Sequence, residues 1–426
     1  MIKQTATIPV LDEAVQYSVL GNGLRVYLVS KPSFKSAYAI FGTCYGSVDT
    51  RFAKNGGAFV DVPAGIAHFL EHKLFESEDG DAFSRFAETG ASANAYTSFD
   101  RTCYLFSCAN RFEENLDILL DFVRHPYFTA QTVQKEQGII GQEIRMYEDA
   151  PDWTLFVNLL ECLYKEHPVK INIAGTVESI AQITDSLLYT CYETFYNPNN
   201  MFICIAGNID CDAVLARIDK VTEKDTGCTI QKGAFNEPGT VIKKQISREM
   251  PVAMPLFGLG VKDRPDQDLK SVMATQILLE ALCGPASELF AQLTGQNRIG
   301  SSIGTEYLTG HGFAALILDG ESPAPEETTA LMLDHFKNVQ QTGLAEAAFE
   351  GARRKIYGNA VKHFDSAEEI VSQLVDCAVH GYTPYEDLAI LQKLTLEDVN
   401  RRLREIDFSC SAVSVVRPRE QGKETQ

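Results

Sequence analysis

The spacing of apolar residues changes along the chain and predicts both strands and helices. Short apolar runs at 201–206 and 411–416 have the length of buried strands, whereas 129–148 carries apolar residues at helical spacing. Runs of strands are followed by runs of helices without strict alternation, which is typical of an α+β fold. We therefore predict mostly antiparallel sheets packed with helices.

The predicted elements recur in the same order in the two halves of the chain. The corresponding segments are 65–75 and 275–283, 86–90 and 290–295, 129–148 and 346–363, 178–184 and 387–395, and 201–206 and 411–416. A repeat of this length indicates two similarly folded domains. We place them at residues 1–219 and 245–426, with a polar, Gly-containing linker at 220–244.

Composition places the chain among ordinary globular proteins. It has 426 residues, of which 45% are hydrophobic and 22% are charged. No run reaches the ~18 apolar residues of a membrane span, and the first residues lack the apolar core of a secretory signal, so we expect a cytoplasmic protein. The 11 cysteines are odd in number and scattered, which excludes a fully paired disulfide framework and favours free thiols in a reducing compartment.

The net charge narrows the choice of partners. A charge of −19 and a pI near 4.9 argue against nucleic acids and anionic membranes. A neutral or basic peptide substrate is compatible with this negative charge. The alternative is that the acidic residues serve solubility alone.

The candidate chemistry begins at residues 68–72, which read His-Phe-Leu-Glu-His within a stretch of helix-forming residues. On a helix, His68 and His72 lie one turn apart on the same face, and Glu71 borders that face. A catalytic zinc site needs two such imidazoles as ligands, a third ligand from elsewhere, and a carboxylate that takes a proton from water at the metal. The order His-x-x-Glu-His is that of the inverzincins. The alternative is an amphipathic helix with two surface histidines.

A third ligand is expected on another helix that faces the first. Glu136 and Glu143 lie seven residues apart in 129–148, only ~20° short of two full turns, so both carboxylates point the same way. One is a candidate ligand, and the other is a candidate support for a ligating histidine. Ordinary solvated charges are the alternative.

These residues, in this order, resemble the insulinase/pitrilysin family of zinc metallopeptidases, in which a Glu-x6-Glu helix follows His-x-x-Glu-His. Here Glu143 follows His72 by 71 residues. Further landmarks of the family match at 20–26, 46–47, 90–97, 175–180 and 196–201, so the resemblance is strong over about residues 17–210. Within the family, the chain is most similar to bacterial proteins linked to peptide processing or to the aminopentanol modification of elongation factor P.

The resemblance implies a role for each candidate residue. The implied sets are the zinc ligands His68, His72 and Glu143; the general base Glu71 with the supporting Glu136; and the substrate-binding residues Ala93, Asn94 and Ala95, in a strand at 91–97. The second half would be a degenerate copy that closes over the substrate. It has no His-x-x-Glu-His, and Arg353, Arg354 and Lys355 stand where the metal-binding glutamate would be.

One departure from the family concerns partners. Complete members carry an Arg and a Tyr in the second half, where this chain has Thr294 and a Ser, with Arg298 and Tyr307 nearby, unless the register is shifted by a few residues. We therefore expect a dimer. The second subunit is either a related zinc-free chain that supplies the Arg and the Tyr, or a second copy in which Arg298 and Tyr307 replace them.

The leading hypothesis is a zinc-dependent endopeptidase that hydrolyses peptide bonds in unfolded or short peptides. The alternative is an assembly or scaffold subunit of a two-subunit processing complex with little activity alone. Scaffold members of the family lose ligands, whereas this chain keeps both histidines, Glu71 and Glu143. A third hypothesis, a peptide binder with structural zinc, needs a fourth protein ligand, and no Cys or His lies close enough in sequence to supply one.

Overall fold

The computed structural model of the protein describes residues 2–8, 13–78 and 80–419. The strands are β1 (Ile2–Ile8), β2 (Glu13–Val19), β3 (Arg25–Ser30), β4 (Ala37–Thr43), β5 (Arg51–Lys54), β6 (Val60–Asp61), β7 (Glu76–Ser77), β8 (Gly80–Asp81), β9 (Ser92–Thr97), β10 (Thr102–Cys108), β11 (Met201–Gly207), β12 (Ile230–Lys232), β13 (Gln245–Met250), β14 (Leu256–Lys262), β15 (Ile303–Gly310), β16 (Phe313–Glu321) and β17 (Ser411–Pro418).

The α-helices are α1 (Ile66–Leu74), α2 (Ala82–Thr89), α3 (Phe112–Arg124), α4 (Ala130–Glu148), α5 (Pro151–Leu163), α6 (Val177–Ile180), α7 (Asp185–Phe195), α8 (Cys211–Thr222), α9 (Leu269–Cys283), α10 (Glu288–Gly295), α11 (Pro325–Thr342), α12 (Glu346–Lys362), α13 (Ala367–His380), α14 (Glu386–Lys393) and α15 (Leu396–Glu405). None of them, within the described ranges, is long and apolar enough to cross a membrane.

The chain forms two compact units, each assembled from three stretches of sequence. The first consists of Met1–Ile144, Asn172–Gly233 and Val361–Glu386, and the second of Arg145–Ile171, Ala234–Ala360 and Asp387–Gln426. Each unit therefore takes one long helix from the other half of the sequence, because α13 belongs to the first unit and α5 to the second. The domain boundaries predicted from the sequence repeat stay a prediction, since repetition in sequence and compactness in space are different properties.

The first unit is built on a seven-stranded sheet in the order β1-β2-β3-β11-β4-β10-β9. Neighbouring strands are antiparallel except for β3 and β11, which are parallel. Helix α13 packs on β4 and β11. It is tied there by Arg101, which pairs with Asp376, and by Arg25, which donates to the carbonyl of Ala378. At the far edge, β9 pairs with β10 alone among the described strands.

The second unit is built on a five-stranded sheet in the order β13-β17-β14-β16-β15, in which only β13 and β17 are parallel. This order repeats β3-β11-β4-β10-β9 of the first unit strand for strand, including its parallel pair. The predicted fold class, α+β with two similar domains of mostly antiparallel sheet, is confirmed.

Helix α5 packs on β14 and β17 of the second unit. Two glycines of β14 make room for it: a Cβ atom on Gly258 would lie 3.3 Å from Leu155, and one on Gly260 would lie 2.8 Å from Leu163. A carbon at 2.8 Å overlaps, so a side chain at Gly260 would force the buried side chain of Leu163, or the helix that carries it, to shift.

Candidate metal centre

Helix α1 starts at a tight crossing of two backbone segments. Gly65 has a φ of 89°, and a Cβ atom there would lie 2.4 Å from the carbonyl oxygen of Ala174. Across the crossing, Gly175 has a φ of 78°, and its Cβ would lie 2.5 Å from the carbonyl oxygen of Ala64. The hydroxyl of Ser179 donates to that same oxygen at 2.8 Å. Only glycine satisfies both the positive φ and the close approach, so the sequence fixes where α1 begins.

Helix α1 is buried on nearly every side. Its apolar residues in the core are Ile66, Ala67, Phe69, Leu70 and Leu74. The remaining face carries the three polar residues that the sequence singled out, and the exposed fractions of His68 and Glu71 are only 8% and 7%. Polar groups buried this deeply require partners, since unpaired ones cost free energy on folding.

Helix α4 places carboxylates beside both histidines. Its buried side includes Val133, Ile140 and Ile144, which bring Glu136 and Glu143 towards α1. The Glu143 carboxylate lies between the two rings, with Oε1 3.6 Å from Nε2 of His68 and Oε2 3.5 Å from Nε2 of His72. One ligand atom from each of these three residues lies within 4.8 Å of the other two. No other such group of three His, Cys, Asp or Glu occurs in the described part of the chain.

The spacing of these donor atoms fits a metal ion. Distances of 3.5–3.6 Å exceed an ordinary hydrogen bond between nitrogen and oxygen. They are close to the ~3.4 Å that separates two ligand atoms bound tetrahedrally at about 2.0–2.1 Å from zinc. Two imidazole nitrogens and one carboxylate are also a donor set typical of catalytic zinc. The three side chains can therefore hold such an ion.

Glu136 contacts the opposite side of the His72 ring. Its Oε1 lies 3.0 Å from Nδ1 of His72. Since a carboxylate accepts, Nδ1 carries the proton, and the lone pair of Nε2 faces Glu143. Burial lowers the pKa of His72, but the hydrogen bond to Glu136 and the charges of Glu71 and Glu143 outweigh burial, so the pKa of His72 is raised. The same negative charges favour a cation between the rings.

The predicted substrate strand lies at the edge of the first sheet. Ala93, Asn94 and Ala95 belong to β9 and pair with Phe106, Leu105 and Tyr104 of β10. Within β9 the side chains alternate, with Ala93, Ala95 and Thr97 half-buried on one face and Ser92, Asn94 and Tyr96 exposed on the other. Helix α1 packs on this strand.

The sequence reasoning missed one polar contact in this strand. The hydroxyl of Thr97 donates to Oε2 of Glu71 at 2.7 Å. The signal was present, since Thr97 shares the alternating face of Ala93 and Ala95 and is its only polar member in β9. The strand pattern alone did not tell which residue of another element this hydroxyl would meet.

The second unit has a charge pair on the helices that correspond to α1 and α4. Glu280 of α9 and Lys355 of α12 are joined at 2.8 Å. Arg298 pairs with Glu327, and the Tyr307 hydroxyl donates to Asp263 at 2.7 Å. Arg298 and Tyr307 thus have partners within the second unit, and their predicted role at the active site stays a prediction.

Known proteins resemble the chain along most of its length. Residues 55–177 match the family described as Insulinase (Peptidase family M16), and residues 182–356 match the one described as Peptidase M16 inactive domain. The Bacillus subtilis protein called uncharacterized zinc protease YmfH is 41% identical over 404 residues, which are 93% of this chain and 94% of that protein. A protein of Arabidopsis thaliana named as a probable mitochondrial-processing peptidase subunit beta is 26% identical over 382 residues, which are 84% of this chain and 70% of that protein.

A solved structure extends the comparison to the fold. The structure, described as an M16-like peptidase from Alicyclobacillus acidocaldarius, superposes with a TM-score of 0.92 at 36% identity, over 97% of this chain and 100% of that one. The second matched family, named for an inactive domain, covers most of the half in which the sequence predicts a degenerate copy. The extent of these matches shows that the chain belongs to the insulinase family of peptidases, family M16.

Proposed function

We propose that the chain is a zinc-dependent endopeptidase that cleaves short or unfolded peptides. The observation that carries this proposal is the convergence of three donor atoms, from His68, His72 and Glu143, beside a buried carboxylate that is not one of them, Glu71. Zinc, when bound, polarises the scissile carbonyl and makes water an effective nucleophile near neutral pH.

Glu136 orients one of the ligands. By accepting the Nδ1 proton of His72, it holds the ring in the tautomer whose Nε2 is free to bind a cation. The carboxylate is itself buried, with an exposed fraction of 6%, so solvent does not compete for the contact. Glu136 therefore supports the metal site without being a ligand.

Glu71 moves the proton. It takes a proton from the attacking water and later gives it to the leaving amine, as a general base and then a general acid. Because Oε2 is engaged with Thr97, Oε1 is the oxygen available for this transfer. The burial of the side chain limits exchange of that proton with bulk water.

The substrate is proposed to add as a strand along the open edge of β9. An extended peptide that pairs with backbone N–H and C=O groups is bound with little regard to its side chains. The side chains of Ala93 and Ala95 are half-buried and pack against the core of the first unit, so they do not block the open backbone edge. Such binding suits unfolded peptides, because folded segments have no free strand edge to offer.

The test compares the wild-type chain with Glu71→Gln, both in the assembly in which the wild type cleaves. The substitution keeps the size of the side chain and removes its basicity. Both proteins should bind one zinc ion, and cleavage of a quenched-fluorescence peptide library should fall at least about 100-fold in the variant. Glu88→Gln, an exposed position on α2, is the matched control and should cleave normally. Cleavage by Glu71→Gln at a rate near that of the wild type would overturn the proposed mechanism.

We propose further that the active form is a dimer. Support comes from the sequence, in which Thr294 and a Ser stand where the family carries an Arg and a Tyr unless the register is shifted by a few residues, and from the relative named as a peptidase subunit. The partner is either a related zinc-free chain or a second copy of this one. Zinc-loaded chain should cleave poorly as a monomer and gain activity when the dimer forms, as followed by sedimentation and peptide cleavage together. Full activity from a demonstrated monomer would refute the dimer, and inactivity in every assembly would favour a scaffold subunit.

A further inference from the structure

The carboxylate of the proposed base is held by a hydroxyl from the edge strand. Thr97, the last residue of β9, donates from Oγ1 to Oε2 of Glu71 at 2.7 Å. We propose that Thr97 is a positioning residue, which orients Glu71 for proton transfer and links it to the strand that binds the substrate. This inference rests on the proposed peptidase function.

The direction of the hydrogen bond follows from counting protons. A second hydroxyl lies close by, that of Thr102, whose Oγ1 is 3.5 Å from Oγ1 of Thr97. Thr102 donates its single proton to the carbonyl of Tyr45 at 2.8 Å. It has none left for Thr97, while Glu71 as a carboxylate can only accept. The proton of Thr97 therefore points to Glu71.

This contact can persist through the reaction. A hydroxyl can donate to a carboxylate oxygen and, more weakly, to the carbonyl oxygen of the protonated acid. Oε2 of Glu71 can thus stay bound to Thr97 while Oε1 gains and loses the proton. A group held in one orientation does not have to be reordered at each turnover, which is the general advantage of a preorganised site.

The position of Thr97 in the sheet links the base to the substrate. The backbone of Thr97 pairs with Thr102 of β10 on one side of β9. The opposite side of β9 has no strand partner among the described residues. A peptide that adds to β9 is therefore aligned with the same strand that holds Glu71. The register of the scissile bond relative to the base would be set by one rigid element, instead of by two that move separately.

The experiment removes the hydroxyl without changing the shape of the side chain. Thr97→Val should bind zinc with the stoichiometry of the wild type and lose about 10- to 100-fold in kcat, the range for a hydrogen bond to a charged group, with KM nearly constant. Thr97→Ser restores the hydroxyl and should recover most of kcat. Thr5→Val, at an exposed position of β1, is the matched control for the exchange itself.

Two further measurements separate positioning from a general loss of structure. In the background of Glu71→Gln, adding Thr97→Val should cause no further loss, because Thr97 acts only through Glu71. A crystal structure of Thr97→Val should show the Glu71 carboxylate displaced or in several orientations, and this readout needs no turnover, so it tests the contact even if the peptidase proposal fails. An unchanged kcat, an additive loss in the double variant, or an unmoved Glu71 would each overturn the inference.

Discussion

Two glutamates on one helix contact different atoms of the same histidine. Glu143 lies at Nε2 of His72, and Glu136 lies at Nδ1. The helical spacing predicted that both carboxylates point the same way and left open which of them is the ligand, while the resemblance to the family implied that it is Glu143. Which glutamate lies at the metal-binding nitrogen depends on where each carboxylate is placed along α1. That placement is set by how the two helices pack and cannot be derived from either helix alone.

This difference predicts unequal effects of the same substitution. Glu143→Gln should weaken zinc binding by more than about 100-fold, because it removes a charged donor. Glu136→Gln should weaken it by about tenfold, the lower end of the range for groups that support a ligand. Competition with a fluorescent zinc chelator measures both affinities. A larger loss in Glu136→Gln would mean that the two roles are reversed.

A carboxylate of the second unit, that of Glu237, is expected to contribute to stability in a pH-dependent way. Glu237 accepts hydrogen bonds from the backbone N–H groups of Lys165, Glu166 and His167 and from the ammonium of Lys262. Burial raises its pKa, but the ammonium and the N–H donors outweigh burial and lower the pKa from 4.5 to about 2. Because the folded pKa is depressed, the stabilisation is present above the unfolded pKa and is lost as the pH falls towards 2.

Glu237→Gln should therefore lower the free energy of unfolding by about 3 kcal/mol at pH 7. The difference from the wild type should shrink by more than half at pH 3. Urea titrations at the two pH values measure it, with Glu249→Gln, an exposed position of β13, as the control. A deficit that stays the same at pH 3 would contradict the assigned cause.

At the scale of elements, the proposed binding of substrate depends on the unpaired edge of β9. The resemblance to the family implied a substrate-binding strand at 91–97, a segment rich in small residues. The structure places this strand at the edge of the sheet, where its outer N–H and C=O groups have no strand partner among the described residues. Edge position could not be read from the strand itself, because it depends on the order of all seven strands.

Pairing with β9 predicts a periodic response to backbone methylation of the substrate. The N-methyl groups are placed one at a time, at least two residues away from the scissile bond. They should abolish cleavage at alternate positions and be tolerated at the positions between, because successive N–H groups of a strand point to opposite edges. Cleavage rates of a peptide series methylated at one position each give the pattern. Uniform tolerance would exclude strand addition.

Helices α5 and α13 are the elements whose place was least predictable. An apolar face shows that a helix packs on something, but not which of two similar sheets receives it. The clue lay in β14, where Gly258 and Gly260 leave a groove that α5 fills. A Cβ atom at Gly260 would overlap Leu163.

Gly260→Ala should therefore destabilise the second unit by about 1–3 kcal/mol. Gly351→Ala, in helix α12 of the same unit, has open space around its Cβ and should stabilise by about 0.5–1 kcal/mol through helix propensity. Thermal unfolding of both variants measures the opposite signs. Equal changes in the unfolding temperature of the two variants would mean that the packing of α5 does not depend on the glycine groove.

At the scale of the whole molecule, one architecture occurs twice with different polar residues. The sequence predicted two similarly folded domains, because corresponding segments recur in the same order in the two halves. The structure adds that the strand order within the sheets also repeats. The first copy places histidines and a glutamate where the second places the Glu280–Lys355 pair, which balances its own charge and leaves no group for a cation. Among the described residues, the candidate metal ligands therefore lie in the first unit. Catalysis at this site and its completion by a second subunit stay proposals.

The most direct test of the account is a zinc titration of metal-free protein, with metal binding and peptide cleavage followed on the same sample and in the assembly that forms in solution. We expect cleavage to rise in proportion to bound zinc and to stop rising at one ion per chain. The variants His68→Ala and Glu143→Gln should show neither step at the same zinc concentrations. Cleavage that survives removal of all metal, or one tightly bound zinc ion that these substitutions leave in place, would contradict the account.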